Sequence, residues 1–186
     1  MSFFDNPKNA SMALMILAVI ELIGAIVSVA VSVNPFELGN LLIGIGAVIC
    51  AVLYFMFAKR VATMAKIDIL ANFIILFGLV SIIGGVFTVV ASIGSAIVGI
   101  IIGVIVILIG KRINDGQVDT FDKILWIVLM LLFILSFIGS LGMFIGIGGE
   151  IIDILVGVLA AVSSLVVSIF MILLLLDPEV KQKMGM

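Results

Sequence analysis

Apolar residues in this chain come in six long runs, at 11–33, 41–58, 68–90, 93–110, 124–147 and 151–176, parted by short polar breaks. A bilayer's hydrocarbon core is about 30 Å thick, and an α-helix needs about 20 apolar residues to cross it. Each run therefore predicts a transmembrane helix. Runs 41–58 and 93–110 are short, yet inside the usual range of roughly 17 to 25 residues. The breaks alternate in kind. Lys8 precedes the first run, Lys59, Arg60 and Lys66 follow the second, Lys111, Arg112 and Lys123 follow the fourth, and Lys181 and Lys183 follow the sixth. The breaks after runs one, three and five hold no Lys or Arg. Cationic loops stay on the cytoplasmic side of a membrane. The alternation predicts an all-α integral membrane protein with six transmembrane helices in three hairpins and both the N- and C-termini cytoplasmic.

The hairpin is written three times, in units of about 10–66, 67–123 and 124–183, within a single transmembrane domain spanning 1–186. Lys59-Arg60 returns 52 residues later as Lys111-Arg112, and Lys66-Ile67 returns 57 residues later as Lys123-Ile124. Repetition at that length points to duplication of a helical hairpin. The first outer turn, Asn34-Pro35-Phe36-Glu37-Leu38-Gly39-Asn40, carries ordinary turn chemistry. The second, around Ala91 to Ser95, is very short, and the third, Gly146 to Glu150, is glycine-rich. Asn114-Asp115-Gly116-Gln117 is a solvated inner turn. After the sixth run, Asp177-Pro178-Glu179 predicts a short helical stub along the inner surface, with acids near its N-terminus where the dipole favours them.

Composition narrows the class further. The 186 residues are 65% hydrophobic and 11% charged, against roughly a quarter charged in a soluble domain. A soluble core cannot hide so much apolar surface, so membrane lipids must cover it, and no loop is long enough for a soluble domain. The net charge of −2 comes with basic residues that flank helices instead of forming a patch, so nucleic acid is not an expected partner. Cys50, the only cysteine, lies within the second run and has nothing in the chain to pair with. The first run is about 23 residues, longer than the 7–15 of a signal peptide's apolar region, and is expected to remain as a helix.

Helices in lipid associate through close packing of small residues and through interhelical hydrogen bonds. Small residues spaced four apart mark the expected packing faces: Ala91, Ser95, Gly99 and Gly103 on the fourth helix, Gly24, Ser28 and Ser32 on the first, and Ala160, Ser164 and Ser168 on the sixth. Shorter stripes occur at Ser81 and Gly85 on the third and at Gly142 and Gly146 on the fifth. If one stripe is left over for a homo-oligomer or a partner in a membrane complex, the fourth helix is the best candidate.

Glu21 is the sharpest polar feature. It lies in the middle of the first run, where an ionised carboxylate costs several kcal/mol. Gly24, Ala25, Ser28 and Ser32 share its helical face, so it is expected to point at a neighbouring helix. No Lys, Arg or His lies at comparable depth, and the carboxyl is expected to hold its proton at rest because its charged form is poorly solvated there. Two readings follow. Glu21 bonds a carbonyl or a serine and joins helices, or it is a proton or cation site of the kind intramembrane carboxylates form. Glu150 and Asp153, at the start of the sixth helix, are candidate outer-mouth acids for a cation, though acids there also simply suit the helix dipole. Asp68 and Asn72 read as capping and interfacial residues of the third helix, and Trp126 as an interfacial anchor of the fifth.

The chain has no histidine, which removes His-based acid–base catalysis and imidazole metal sites. Its glycine stretches, Gly139 to Gly142 and Gly146 to Gly149, lie in or at the end of an apolar run, without the strand–turn–helix context of a nucleophile elbow or phosphate loop. Catalytic residues, cofactors and metals are therefore not expected. The sequence favours a non-catalytic scaffold or stress-type protein or a subunit of a larger membrane complex, which fits the tiny loops and packing stripes; the alternative is a small proton- or cation-coupled transporter or channel using Glu21.

From Gly24 to Arg60 the chain runs through a glycine-containing first helix, the Asn34-Pro35-Phe36 turn, Leu38-Gly39 and Ile43-Gly44-Ile45-Gly46 to Lys59-Arg60. An echo runs from Gly78 through Gly84-Gly85 to Lys111-Arg112. With three hairpins and glycine-punctuated helices, the chain resembles the HdeD-type six-helix membrane proteins, which are associated with acid resistance. The resemblance implies a membrane-resident stress or scaffold role, with no defined catalytic residues to carry over.

Overall fold

The computed structural model describes residues 2–32, 36–116, 118–149 and 151–186, and of Asp153 only its place in a helix. Among the described residues, seven α-helices follow a single 3-10 turn at Phe3–Asp5: α1 (Pro7–Val31), α2 (Leu38–Val61), α3 (Lys66–Thr88), α4 (Ile93–Ile113), α5 (Thr120–Ile145), α6 (Ile151–Leu176) and α7 (Pro178–Lys183). The first six are long and apolar enough to cross a membrane, and the chain is a multi-pass membrane protein of all-α class. Helices α1 and α5 start four residues before the apolar runs that predict them, because their polar caps lie outside those runs. Asn6 accepts a hydrogen bond from the Lys8 backbone N–H at 3.1 Å, with Pro7 at the first helical position. Asp119 and Asp122 form a reciprocal capping box at the start of α5. Gly116, at φ 72°, supplies the left-handed residue of the turn between α4 and α5.

The helices pack mainly in the order α4, α3, α2, α1, α6, α5, with α3 also reaching α6 and α7. Helices α3 and α4 form the closest pair. A Cβ built on Gly103 would stand 2.6 Å from the Gly78 carbonyl oxygen, and one built on Gly85 would stand 2.8 Å from that of Ala96. These pairs run in opposite directions along the two helices, so α3 and α4 are antiparallel and touch backbone to backbone. In lipid such approach supplies the van der Waals contact and weak polar contact that hold helices together. The small-residue stripe of α4 is thus largely used within the chain, since Gly99 and Gly103 face α3. That removes the reason to single out this face for self-association.

The N-terminal turn, the starts of α3 and α5 and the segment after α6 meet at one end of the bundle, the basic end, where Lys66 bonds Asp5 and Asp177 and Gly185 approaches Lys123. The core sits toward that same end. Phe73 of α3 is fully buried, with ring centroids of Phe170 at 5.3 Å, Phe57 at 6.1 Å and Tyr54 at 6.3 Å. The 3-10 turn brings Phe4 edge-on to Phe170 at 5.4 Å, so the N-terminal segment closes the core from below. Trp126 is more than an interfacial anchor. Its indole N–H donates to the Leu175 carbonyl at 2.9 Å, satisfying a carbonyl in the last turn of α6, and Lys181 stands 5.7 Å from the ring centroid.

Candidate functional site

Helix α1 is continuous from Pro7 to Val31, and Glu21 is ten residues from its far end. At 1.5 Å per residue that is about 15 Å, half the thickness of a hydrocarbon core. The Glu21 side chain is half-buried and faces α6, where the buried Ser163 hydroxyl donates to one of its carboxyl oxygens. Antiparallel packing of α1 on α6 sets this pair. Gly24 lies one turn further along α1 and meets nothing: a Cβ added there would have open space around it.

That space is a cavity of about 160 Å³ between α1, α2 and α6, whose lining includes Glu21, Gly24, Ser28, Ala47, Ala160 and Ser163. It leads into a second space of about 420 Å³ toward the end without basic residues, lined by Ser28, Ser32, Asn40, Ile43, Ile152 and Gly157 among others. Ser28 and Val156 border both, so the two spaces adjoin along α1 as a crevice. From Ser32 to Glu21 it runs about 16 Å along α1. The Ser28 hydroxyl donates to the Gly24 carbonyl at 2.9 Å and the Ser32 hydroxyl to the Ser28 carbonyl at 2.6 Å. Each serine has spent its only proton on its own helix and can offer the crevice only oxygen lone pairs. At the mouth, the Asn40 amide donates to the Glu37 carboxylate. In a largely apolar lining the crevice thus offers the serine oxygens, the Asn40 amide and the Glu21 carboxyl, groups that suit a proton, a small cation or water. Among the described residues no group of three or more His, Cys, Asp or Glu converges to hold a metal ion.

Of the residues picked from sequence, Glu21, Gly24 and Ser28 line the inner cavity, and Ser28 and Ser32 the outer one. Glu150 and the side chain of Asp153 lie outside the described residues. Ser168 of α6 is buried, with its hydroxyl 2.9 Å from that of Ser136 on α5, and Ser164 accepts from Ser168 through its carbonyl at 2.7 Å. Ser95 sits exposed at the start of α4, its backbone N–H bonded to the Ser92 hydroxyl. Three site residues escape sequence reasoning. Ser163 lies one position off the stripe of Ala160 and Ser164, and only the pairing of α1 with α6 reveals it. Glu37 and Asn40 read as turn residues until the helices place them at the mouth.

The basic end carries a different polar cluster. Lys66 at the start of α3 bonds Asp5 at 2.8 Å and the buried Asp177 at 3.0 Å, with Glu179 at 3.9 Å. The Ser2 hydroxyl also donates to Asp177, which in turn accepts the Glu179 backbone N–H at 3.0 Å and caps α7. Burial alone pushes the Asp177 carboxyl up, but the hydrogen bonds from Ser2, Lys66 and the Glu179 backbone together hold it below the ordinary value. Asp5 is held low chiefly by its hydrogen bond from Lys66. This cluster ties the N-terminal turn, α3 and α7 together. No protein family, curated protein or solved structure matches the chain.

Proposed function

We propose that the chain is a small transporter-type protein of the cell membrane, with both termini cytoplasmic, that binds and exchanges a proton or monovalent cation at Glu21. The observation that carries this reading is the crevice, which reaches the Glu21 carboxyl at mid-membrane depth and carries the Ser28, Ser32 and Ser163 oxygens in a largely apolar lining. The positive-inside rule puts the crevice mouth outside. Glu37 at the mouth raises the local concentration of cations. A proton arriving along the crevice exchanges with that of Glu21, which is hydrogen-bonded by the Ser163 hydroxyl, a group able to rotate and serve either state of the carboxyl. One turn inward Leu17 and Ala18 are buried, so the inner side is closed while the outer side is open. That asymmetry favours a transporter, which opens to one side at a time, over a channel. The resemblance to HdeD-type proteins carries no residue into this site.

The scaffold reading keeps one supporting observation. Helices α4 and α5 are the least buried of the six and stand at the two edges of the row, where a partner subunit could cover them. One experiment separates the two. Proton and monovalent-cation flux is measured in proteoliposomes for the wild type and for Glu21→Gln. The transporter reading expects flux in the wild type and its loss in a folded Glu21→Gln variant. Flux that survives the substitution, or silence from both proteins, removes Glu21 as a transport site and leaves the scaffold.

A further inference from the structure

A second groove opens between α2 and α3 at the basic end. It encloses about 230 Å³, and its lining includes Leu53, Met56, Arg60, Asn72, Ile75 and Leu79. From Arg60 to Leu53 it extends about 10 Å along α2, so it is polar at the membrane surface and apolar within. We propose that this groove is a binding site for one phospholipid with an anionic head group, its phosphate at Arg60 and one acyl chain along Met56, Leu53 and Leu79.

The chain has two arginines, Arg60 and Arg112. Arg112 is engaged by Asp115 and by Asp119 at 2.6 Å, with Asp122 at 3.8 Å. Arg60 forms no ion pair among the described residues, though a guanidinium is the side chain best shaped to grip an oxyanion with two parallel hydrogen bonds. It stands in the last turn of α2, at head-group depth. Across the groove, one Asn72 amide hydrogen bonds the Asp68 carbonyl at 2.7 Å. The other remains to donate to a phosphate or glycerol oxygen. The neighbouring Lys59 is turned away, over the Phe55 ring at 4.5 Å. A free cation beside an amide at the mouth of an apolar interhelical groove has the chemistry of an anionic-lipid site. This inference does not depend on Glu21.

The test is native mass spectrometry of the full chain in neutral detergent, titrated with phosphatidylglycerol or phosphatidylcholine. The expected result is preferential retention of one phosphatidylglycerol, reduced about fivefold in Arg60→Gln and little changed in Lys59→Gln. Leu79→Trp, which fills the groove from an exposed position, should abolish retention while leaving thermal unfolding in place. Should that variant unfold, the comparison of Arg60→Gln with Lys59→Gln decides alone. Equal losses in those two variants would mean diffuse attraction to a basic surface and would overturn the site. Equal retention of the two lipids would do the same, as would displacement of the lipid by equimolar glycerophosphate, since that would leave the acyl groove without a role.

Discussion

Helices α1 and α6 meet twice, in two unlike ways. At the basic end they close with α3 on Phe73, Phe170, Leu14 and Leu17, and the Phe4 turn covers the join. Toward the other end they stand apart around Glu21, Gly24 and Ser28, leaving a crevice crossed by the hydrogen bond from Ser163 to Glu21. Large aromatic side chains fill the first region, while Gly, Ala and Ser line the second without bringing the backbones together. Small residues in a membrane helix therefore have two opposite uses. Between α3 and α4 they let backbones touch, and between α1 and α6 they leave room. Which use applies depends on the neighbour and cannot be read from spacing alone.

Breaking the packed end should have the largest effect. Phe73 is completely buried among three other aromatic rings. Phe73→Ala removes their common neighbour and should cost about 3–5 kcal/mol. Thermal unfolding of the purified variant in detergent is the check, and a cost below about 1 kcal/mol would mean that the aromatic cluster does not hold the bundle.

The two uses of glycine separate in a second pair of variants. At Gly103 any side chain drives into the Gly78 carbonyl and the Ile82 side chain, each 2.6 Å from the new Cβ. Gly103→Val should destabilise by about 1–3 kcal/mol. At Gly142 of α5 a new Cβ meets nothing, and Gly142→Val should stay within about 0.5 kcal/mol of the wild type. Equal costs would show that the α5 glycine is covered in the membrane, and would turn attention to that face as an interface.

How much of this is visible in the chain follows from the physics of each feature. The number and type of the helices are legible because hydrocarbon thickness demands long apolar runs, and nothing else in 186 residues produces six of them. Their starts are less legible, since Asn6-Pro7 and Asp119-Asp122 act through caps outside the apolar runs. The isolation of Glu21 in an apolar run marks it from sequence alone. Its partner Ser163 does not stand out, because lateral order among equally apolar helices is set by side-chain fit and leaves no periodic signature. The Lys66 cluster is hidden for another reason: it joins residues 5, 66 and 177, three segments remote in the chain.

That cluster gives the basic end a pH dependence of its own. Asp177 and Asp5 have carboxyls held below the ordinary value of 3.8. A group lowered on folding contributes its full stability above its unfolded value and loses it as the pH falls toward the folded one. Unfolding measured from neutral pH downward should therefore show stability draining below about pH 4. Asp177→Asn keeps one oxygen to accept from the Glu179 backbone but puts an NH2 donor where Oδ2 accepts from Ser2 and Lys66, and removes the charge facing Lys66. It should cost about 1.5 kcal/mol near neutrality, at the low end for a charged hydrogen bond because Lys66 keeps some contact with water. The acid-side decline should become correspondingly shallower, and an unchanged profile would show that Asp177 is not the group responsible.

The smallest change in stability is expected where the functional change is sharpest. Gly24 borders the crevice beside Glu21 with open space around its Cα. Gly24→Val should therefore leave unfolding within about 0.5 kcal/mol of the wild type, in contrast to the same substitution at Gly103. The added isopropyl group would occupy part of a cavity of only about 160 Å³, standing between Glu21 and the outer mouth. If the crevice is the route by which protons or cations reach the carboxylate, flux in proteoliposomes should fall as far as it does in Glu21→Gln while the carboxylate itself stays in place. A Gly24→Val protein that transports normally would separate Glu21 from the crevice, and with it the open end of the bundle from any role in transport.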